Sequence, residues 1–175
     1  MHWLLDSFEA IRGFMELGGP ILNWIAFTIF IMWVLIIERL MFFRTRMKTL
    51  SADIHERWEA RKERRSWNAH QIREGMISQF EIAVTQSVNM IQTLVALCPL
   101  LGLMGTVTGM ITVFEVMAIS GSGNVRAMAA GVSQATIPTM AGMVGALSGV
   151  LLVTLISRRA ASEVEFLEDS LTMDH

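Results

Sequence analysis

Charge is what this sequence has least of. Of its 175 residues only 17% are Asp, Glu, Lys or Arg, against 53% hydrophobic, and the mean hydropathy is +0.48. A water-soluble domain of this size carries roughly a quarter charged residues. The deficit is uneven: Ile21 to Ile37 has no charge, and Ile82 to Ser157 has only Glu115 and Arg126. Cysteine is nearly absent as well. The single thiol, Cys98, excludes an internal disulfide framework and a cysteine-based zinc site, and it reads as a small apolar residue inside a helix. Histidine is missing from every apolar run: His2, His55, His70 and His175 read as surface residues. No Ser–His or Cys–His pairing and no metal-ligand spacing is evident, so the sequence argues against an enzyme and calls for no metal or cofactor. A net charge of −2 gives no ground for a nucleic-acid partner.

What is present is apolar length. Residues 1–19 are not a secretory signal, because Asp6, Glu9 and Glu16 interrupt them. Leu4, Phe8, Ile11 and Met15 recur at helical spacing, which predicts an external amphipathic helix at the membrane interface, ended by Gly18, Gly19 and Pro20. Residues 20–43 form a first span, longer than the ~20 residues that cross hydrocarbon, with Arg44, Arg46 and Lys48 directly after it. Residues 44–81 are a polar insert with nine basic and six acidic residues, no Pro and only Gly75, so helix is the expected conformation. Within it Arg61-Lys62-Glu63-Arg64-Arg65 reads as a solvated helix face or as a patch for anionic lipid or a partner. Ile72, Met76, Phe80 and Ala83 then lead without a break into a long helix over 82–119 that contains the second span. A turn over 120–126, a third span over 127–157 and an acidic tail over 158–175 complete the chain. Nine basic residues in the insert face one in each external segment, which places the N-terminus outside, the insert and tail inside. The expected fold class is an all-α membrane protein with three transmembrane helices, two of them extended into a cytoplasmic helical region.

The last two spans carry small and hydroxylated residues that lipid does not require. Gly131, Ala135, Pro138, Gly142, Gly145 and Gly149 form one stripe, and Cys98, Gly102, Gly105 and Gly109 another. Such stripes let backbones approach closely, toward the hairpin partner or a neighbouring copy. Thr106, Thr108, Thr112, Thr136 and Thr139 accompany Ser133 and Gln134. Each hydroxyl alone reads as bonded to its own preceding turn, whereas together they read as the wall of a short water file. Glu115 lies about half a turn around the helix from Thr106. It reads as an interfacial carboxylate paired with Arg126 or a partner chain, or else as a proton relay.

With those residues in view the chain resembles the ExbB/TolQ/MotA family of ion-driven motor stators. The likeness is carried by Pro99-Leu100-Leu101-Gly102-Leu103-Met104-Gly105-Thr106-Val107-Thr108-Gly109-Met110 and by Gly131-Val132-Ser133-Gln134-Ala135-Thr136-Ile137-Pro138-Thr139-Met140-Ala141-Gly142. The three-span layout and basic insert match too, and the size and short insert look most like the ExbB branch of TonB systems. The resemblance implies a homopentamer around a central pore in the bacterial inner membrane. It also implies an ExbD-like single-span partner with a membrane aspartate, and a TonB-like protein energised by the proton motive force. The family's pore threonines fall on Thr106 and Thr139. Its third-span glutamate falls on Gln134, which cannot release a proton, so the titrating group is expected on the partner. A second reading of another class is a passive oligomeric scaffold for a partner helix. In either reading a homomer without its partner helix would have a largely apolar centre, where membrane lipid or detergent is no surprise.

Overall fold

The computed structural model describes residues 9, 12–15, 18–61, 63, 66–120 and 125–171, nearly all of them helical. The long elements are α1 (Gly19–Thr45), α2 (Met47–Glu59), α3 (Trp67–Thr85), α4 (Val88–Ser120) and α5 (Val125–Ser170). Three stretches are long and apolar enough to cross a membrane: Gly19–Thr45, Trp67–Ile119 and Val125–Ser170. Leu4, Phe8 and Ile11 of the expected N-terminal helix, most of the expected turn over 120–126, and the last residues of the tail lie outside the described residues. Residues 12–15 are helical, and the Gly18 amide donates to the Phe14 carbonyl at 3.1 Å. Gly19 then takes φ +68°, a left-handed conformation suited to a residue without Cβ. Pro20 follows in the first turn of α1, where its missing N–H costs no helical bond.

Two compact units divide the chain, one made of Met1–Trp33 with Thr93–Val150, the other of Val34–Gln92 with Leu151–His175. The first is built on near-contact of backbones. A Cβ placed on Gly142 would meet the Cys98 carbonyl oxygen at 2.5 Å, and one on Gly109 would meet the Ala135 Cα at 2.5 Å. The Pro138 ring occupies the space that Gly105 leaves open, and Val113 occupies that beside Gly131. Farther along α5, Gly145 and Gly149 receive Ile29 and Met32 of α1. Both small-residue stripes are therefore filled within one chain, by the hairpin partner and by α1. The opposite side of α1 exposes Trp24, Phe27 and Phe30, as lipid-facing surface requires.

The second unit departs from a single helical insert. α2 and α3 are separate and pack on each other, and the residues between them include Arg61 and Glu63, which lie outside any helix. Of the basic cluster, Arg61 and Glu63 are thus not on a helix face; Lys62, Arg64 and Arg65 lie outside the described residues. Two causes act together. Ser66 is extended and its hydroxyl accepts from the Ala69 amide at 3.3 Å, while the Glu63 carboxylate accepts from the Ser66 amide at 3.0 Å, so a new helix starts at Trp67. The reversal also buries Met47, Ile54 and Trp58 of α2 and Ala69, Phe80 and Val84 of α3. A large apolar side chain gains ~1.5–3 kcal/mol on burial, which a straight helix in water would forgo. α3 runs on into α4 with only a two-residue turn at Gln86 and Ser87, where Gln86 keeps helical dihedrals (φ −47°, ψ −45°), so Trp67–Ile119 forms one long stretch.

Two arginines tie this unit together by the same device. The last carbonyls of a helix have no partner within it, and a cation there also opposes the helix dipole. Arg39 of α1, only 2% exposed, donates from Nη2 to the Ala83 carbonyl in the last turn of α3 at 2.5 Å and lies over the Phe42 ring at 4.5 Å. Arg73 of α3 donates to the Glu168 carbonyl at 2.6 Å and the Leu171 carbonyl at 2.7 Å, at the end of α5.

These contacts fix three expected outcomes for thermal unfolding in detergent. Gly142→Ala forces backbone apart and lowers stability by about 1–3 kcal/mol, whereas Gly75→Ala, with nothing within 4 Å of the added Cβ, raises it by about 0.4–1 kcal/mol. Arg39→Met leaves the Ala83 carbonyl without its donor and lowers stability by about 1–3 kcal/mol; an unchanged melting temperature would show that the cap carries no weight.

Candidate functional site: the hydroxyl flank of the membrane hairpin

The seam between α4 and α5 decides where each polar side chain goes. Gly102, Gly105 and Gly109 of α4 meet Thr139, Pro138, Ala135 and Gly142 of α5. At about 100° per residue, Thr106 and Thr139 both project to one side of that seam, and Thr108, Thr112 and Gln134 to the other. The start of α1 lies on the second side: Gly18, Gly19, Pro20, Thr108, Thr112 and Gln134 line a cleft of about 240 Å³ there. The Thr106–Thr139 side carries exposed Leu103 and Met110 of α4 with Val132, Met143 and Val150 of α5. It is a flank of apolar side chains with two hydroxyls set into it.

The grouping expected from the sequence is thus divided. Thr106 and Thr139 share a flank and Gln134 does not join them. Ser133 and Thr136 are exposed and turn farther around α5, away from the seam. Glu115 and Arg126 are both exposed, and no ion pair joins them among the described residues.

The hydroxyls also differ in what holds them. Thr106 donates to the Leu103 carbonyl at 2.7 Å, Thr108 to the Gly105 carbonyl at 3.0 Å, Thr112 to the Thr108 carbonyl at 3.2 Å and Thr136 to the Ser133 carbonyl at 3.0 Å. These are bonds to their own preceding turn. Thr139 instead crosses the seam and donates to the Gly102 carbonyl at 3.0 Å. Nothing in the sequence names that acceptor; its one trace is that Gly102 and Gly142 both lack a side chain that would hold the helices apart. A hydroxyl has one proton and two lone pairs. With the proton given to a carbonyl, Thr106 and Thr139 present acceptors alone to the flank. Such oxygens receive hydrogen bonds from water or hydronium and repel anions, without any fixed charge. Among the described residues no cluster of His, Cys, Asp or Glu is placed to hold a metal ion.

Three apolar spans, a close-packed hairpin and a neutral acceptor flank define a multi-pass membrane protein with the makings of a cation path. A family model described as the MotA/TolQ/ExbB proton channel family matches residues 39–169, about three quarters of the chain. The chain belongs to that family. It is similar to an ExbB-like biopolymer transport protein of Synechocystis sp., with 35% identity over 80 residues. The matched stretch is 44% of this chain and 32% of that protein, so the chain spans about a third of the length of the curated relative it matches. No solved structure matches.

The cross-seam bond separates two threonine variants by stability. Thr139→Val is expected to lower the unfolding free energy in detergent by about 0.6 kcal/mol, the usual size of an interhelical hydrogen bond in a membrane protein. Thr139→Ser keeps the donor and should restore it.

Proposed function

We propose that this chain is the stator-type subunit of a proton channel that works with an ExbD-like single-span partner to energise a TonB-like protein. The single observation that carries the reading is the shared flank of Thr106 and Thr139, clear of α1 and made of hydrogen-bond acceptors. Several copies, five by resemblance, turn this flank toward a common axis and enclose the partner helix. The chain sits in the bacterial inner membrane with its N-terminus periplasmic and its insert and tail cytoplasmic. The basic flank Arg44, Arg46 and Lys48 after the first span supports that orientation.

The division of labour follows from chemistry. A hydroxyl bonded to a carbonyl orders water but does not titrate in the physiological range, and Gln134 cannot release a proton. The group that takes up and releases the proton is therefore the partner's membrane aspartate. Thr106 and Thr139 order the water that reaches it. Gln134, in its cleft with Thr108, Thr112 and the start of α1, hydrogen-bonds in the wall between spans. A stator of TolQ or MotA type, driving a different machine, has the same parts. The reading of another class, a scaffold that conducts nothing, draws on the apolar residues Leu103, Met110, Val132, Met143 and Val150 around the two hydroxyls.

The experiment is proton-driven, TonB-dependent uptake in cells carrying Thr106→Val, Thr139→Val or Thr139→Ser as the sole copy. The valine variants are expected to assemble normally and to lose uptake by at least about tenfold, equivalent to about 1.4 kcal/mol on the transport barrier. Thr139→Ser should retain it. Full uptake in both valine variants would leave the scaffold as the better reading.

A further inference from the structure

The second unit contains a groove of about 480 Å³ between the end of α1 with α2 and the last third of α5. Buried Phe43 and Met47 and exposed Phe166 line it, together with Lys48 from α2 and Arg159 from α5. Glu163 also lines it. Neither Lys48 nor Arg159 has a hydrogen bond or ion pair among the described residues, and the Arg159–Glu163 pair is not formed despite its one-turn spacing. His55 also lines it, with Nε2 against Glu59 at 3.2 Å and a buried Nδ1 that has no hydrogen-bond partner among the described residues. Lys48, Arg159 and Glu163 together carry a single net positive charge.

Its position along the spans narrows the ligand. The first apolar run ends at Phe43 and the third at Ser157. At about 1.5 Å per residue, Lys48 lies roughly 7.5 Å beyond the first boundary and Arg159 roughly 3 Å beyond the second. The headgroup layer occupies about 5–8 Å outside the hydrocarbon. Both cations therefore sit at the depth of lipid phosphates, beside a groove that buried Phe43 and Met47 make partly apolar. We infer that this groove is a binding site for the phosphodiester headgroup of an anionic phospholipid, with Lys48 and Arg159 on its phosphate oxygens and the acyl chains left in the bilayer. One monoanionic phosphate balances the groove's charge. Glu163 opposes a second negative group and sets the selectivity for a singly charged headgroup. The site needs only that the chain spans a bilayer, so it stands or falls apart from conduction.

The test uses the full chain in nanodiscs of phosphatidylcholine doped with phosphatidylglycerol, with retained lipid counted by native mass spectrometry after mild detergent extraction. Phosphatidylglycerol is expected to be retained in preference to phosphatidylcholine. Lys48→Gln and Arg159→Gln should each cut that preference about fivefold, the effect of one basic residue at a membrane surface, and Glu163→Gln should raise it. Lys48 and Arg159 are exposed and Glu163 is half-buried, and the melting temperature in detergent is the check that each variant is folded. Equal retention of the two lipids, or a double variant as selective as the parent, would overturn the assignment. So would a double variant that changes copy number with lipid selectivity intact, because the groove would then be a contact between copies.

Discussion

The contact between the backbones of α4 and α5 is the constraint on which the membrane half of this protein depends. In lipid there is no hydrophobic gain from bringing two helices together, so the driving force is van der Waals contact and hydrogen bonding at short range. Gly142 against the Cys98 carbonyl and Gly109 against Ala135 supply that range. Once the helices are this close, the Thr139 hydroxyl reaches the Gly102 carbonyl. The same approach fixes the rotation of both helices about their axes. That rotation sends Thr106 and Thr139 to one side and Gln134 to the other, so the chemistry of the flank is a by-product of packing.

Outside the hairpin the problem is different: the last carbonyls of a helix need donors from elsewhere in the chain. Arg39 and Arg73 answer it with long side chains that reach across to the last carbonyls of another helix. An Arg suits the role because its planar head carries several donors and its stem packs against apolar neighbours. Phe42 under the Arg39 guanidinium adds attraction from the ring face. Both arginines count as surplus charge when the sequence is read by composition; in the folded chain they are joints.

What the sequence discloses and what it hides divide along physical lines. The three spans are legible because hydropathy and length are local properties, and the small-residue stripes because helical spacing is local too. The side chains that fill the stripes are not, since Ile29 and Met32 meet Gly145 and Gly149 only after the chain has folded back. The break between α2 and α3 was within reach, as Ser66 is a good helix-starting residue; without a Pro or Gly to mark it, the burial of Trp58 and Phe80 was needed to decide it. The separation of Gln134 from Thr139 was also open to view. Five residues on a helix turn the chain by roughly 140° from its starting direction, but a motif shared with a family groups residues by order along the chain, whatever their direction around it. The acceptor of the Thr139 hydroxyl lies on another helix and has no local signal.

Cys98 offers an experimental consequence. It is the chain's only thiol, fully buried, with its backbone pressed against Gly142 and its sulfur facing Gly145. A water-soluble maleimide or methanethiosulfonate reagent has no route to it while the hairpin stays closed. A reporter cysteine introduced at Val132, Met143 or Val150 can therefore be labelled in the otherwise native chain, with little background and no need to replace the native sulfur. The close packing that builds the hairpin also leaves the protein chemically silent to such reagents, ready for spin or fluorescence probes along the flank.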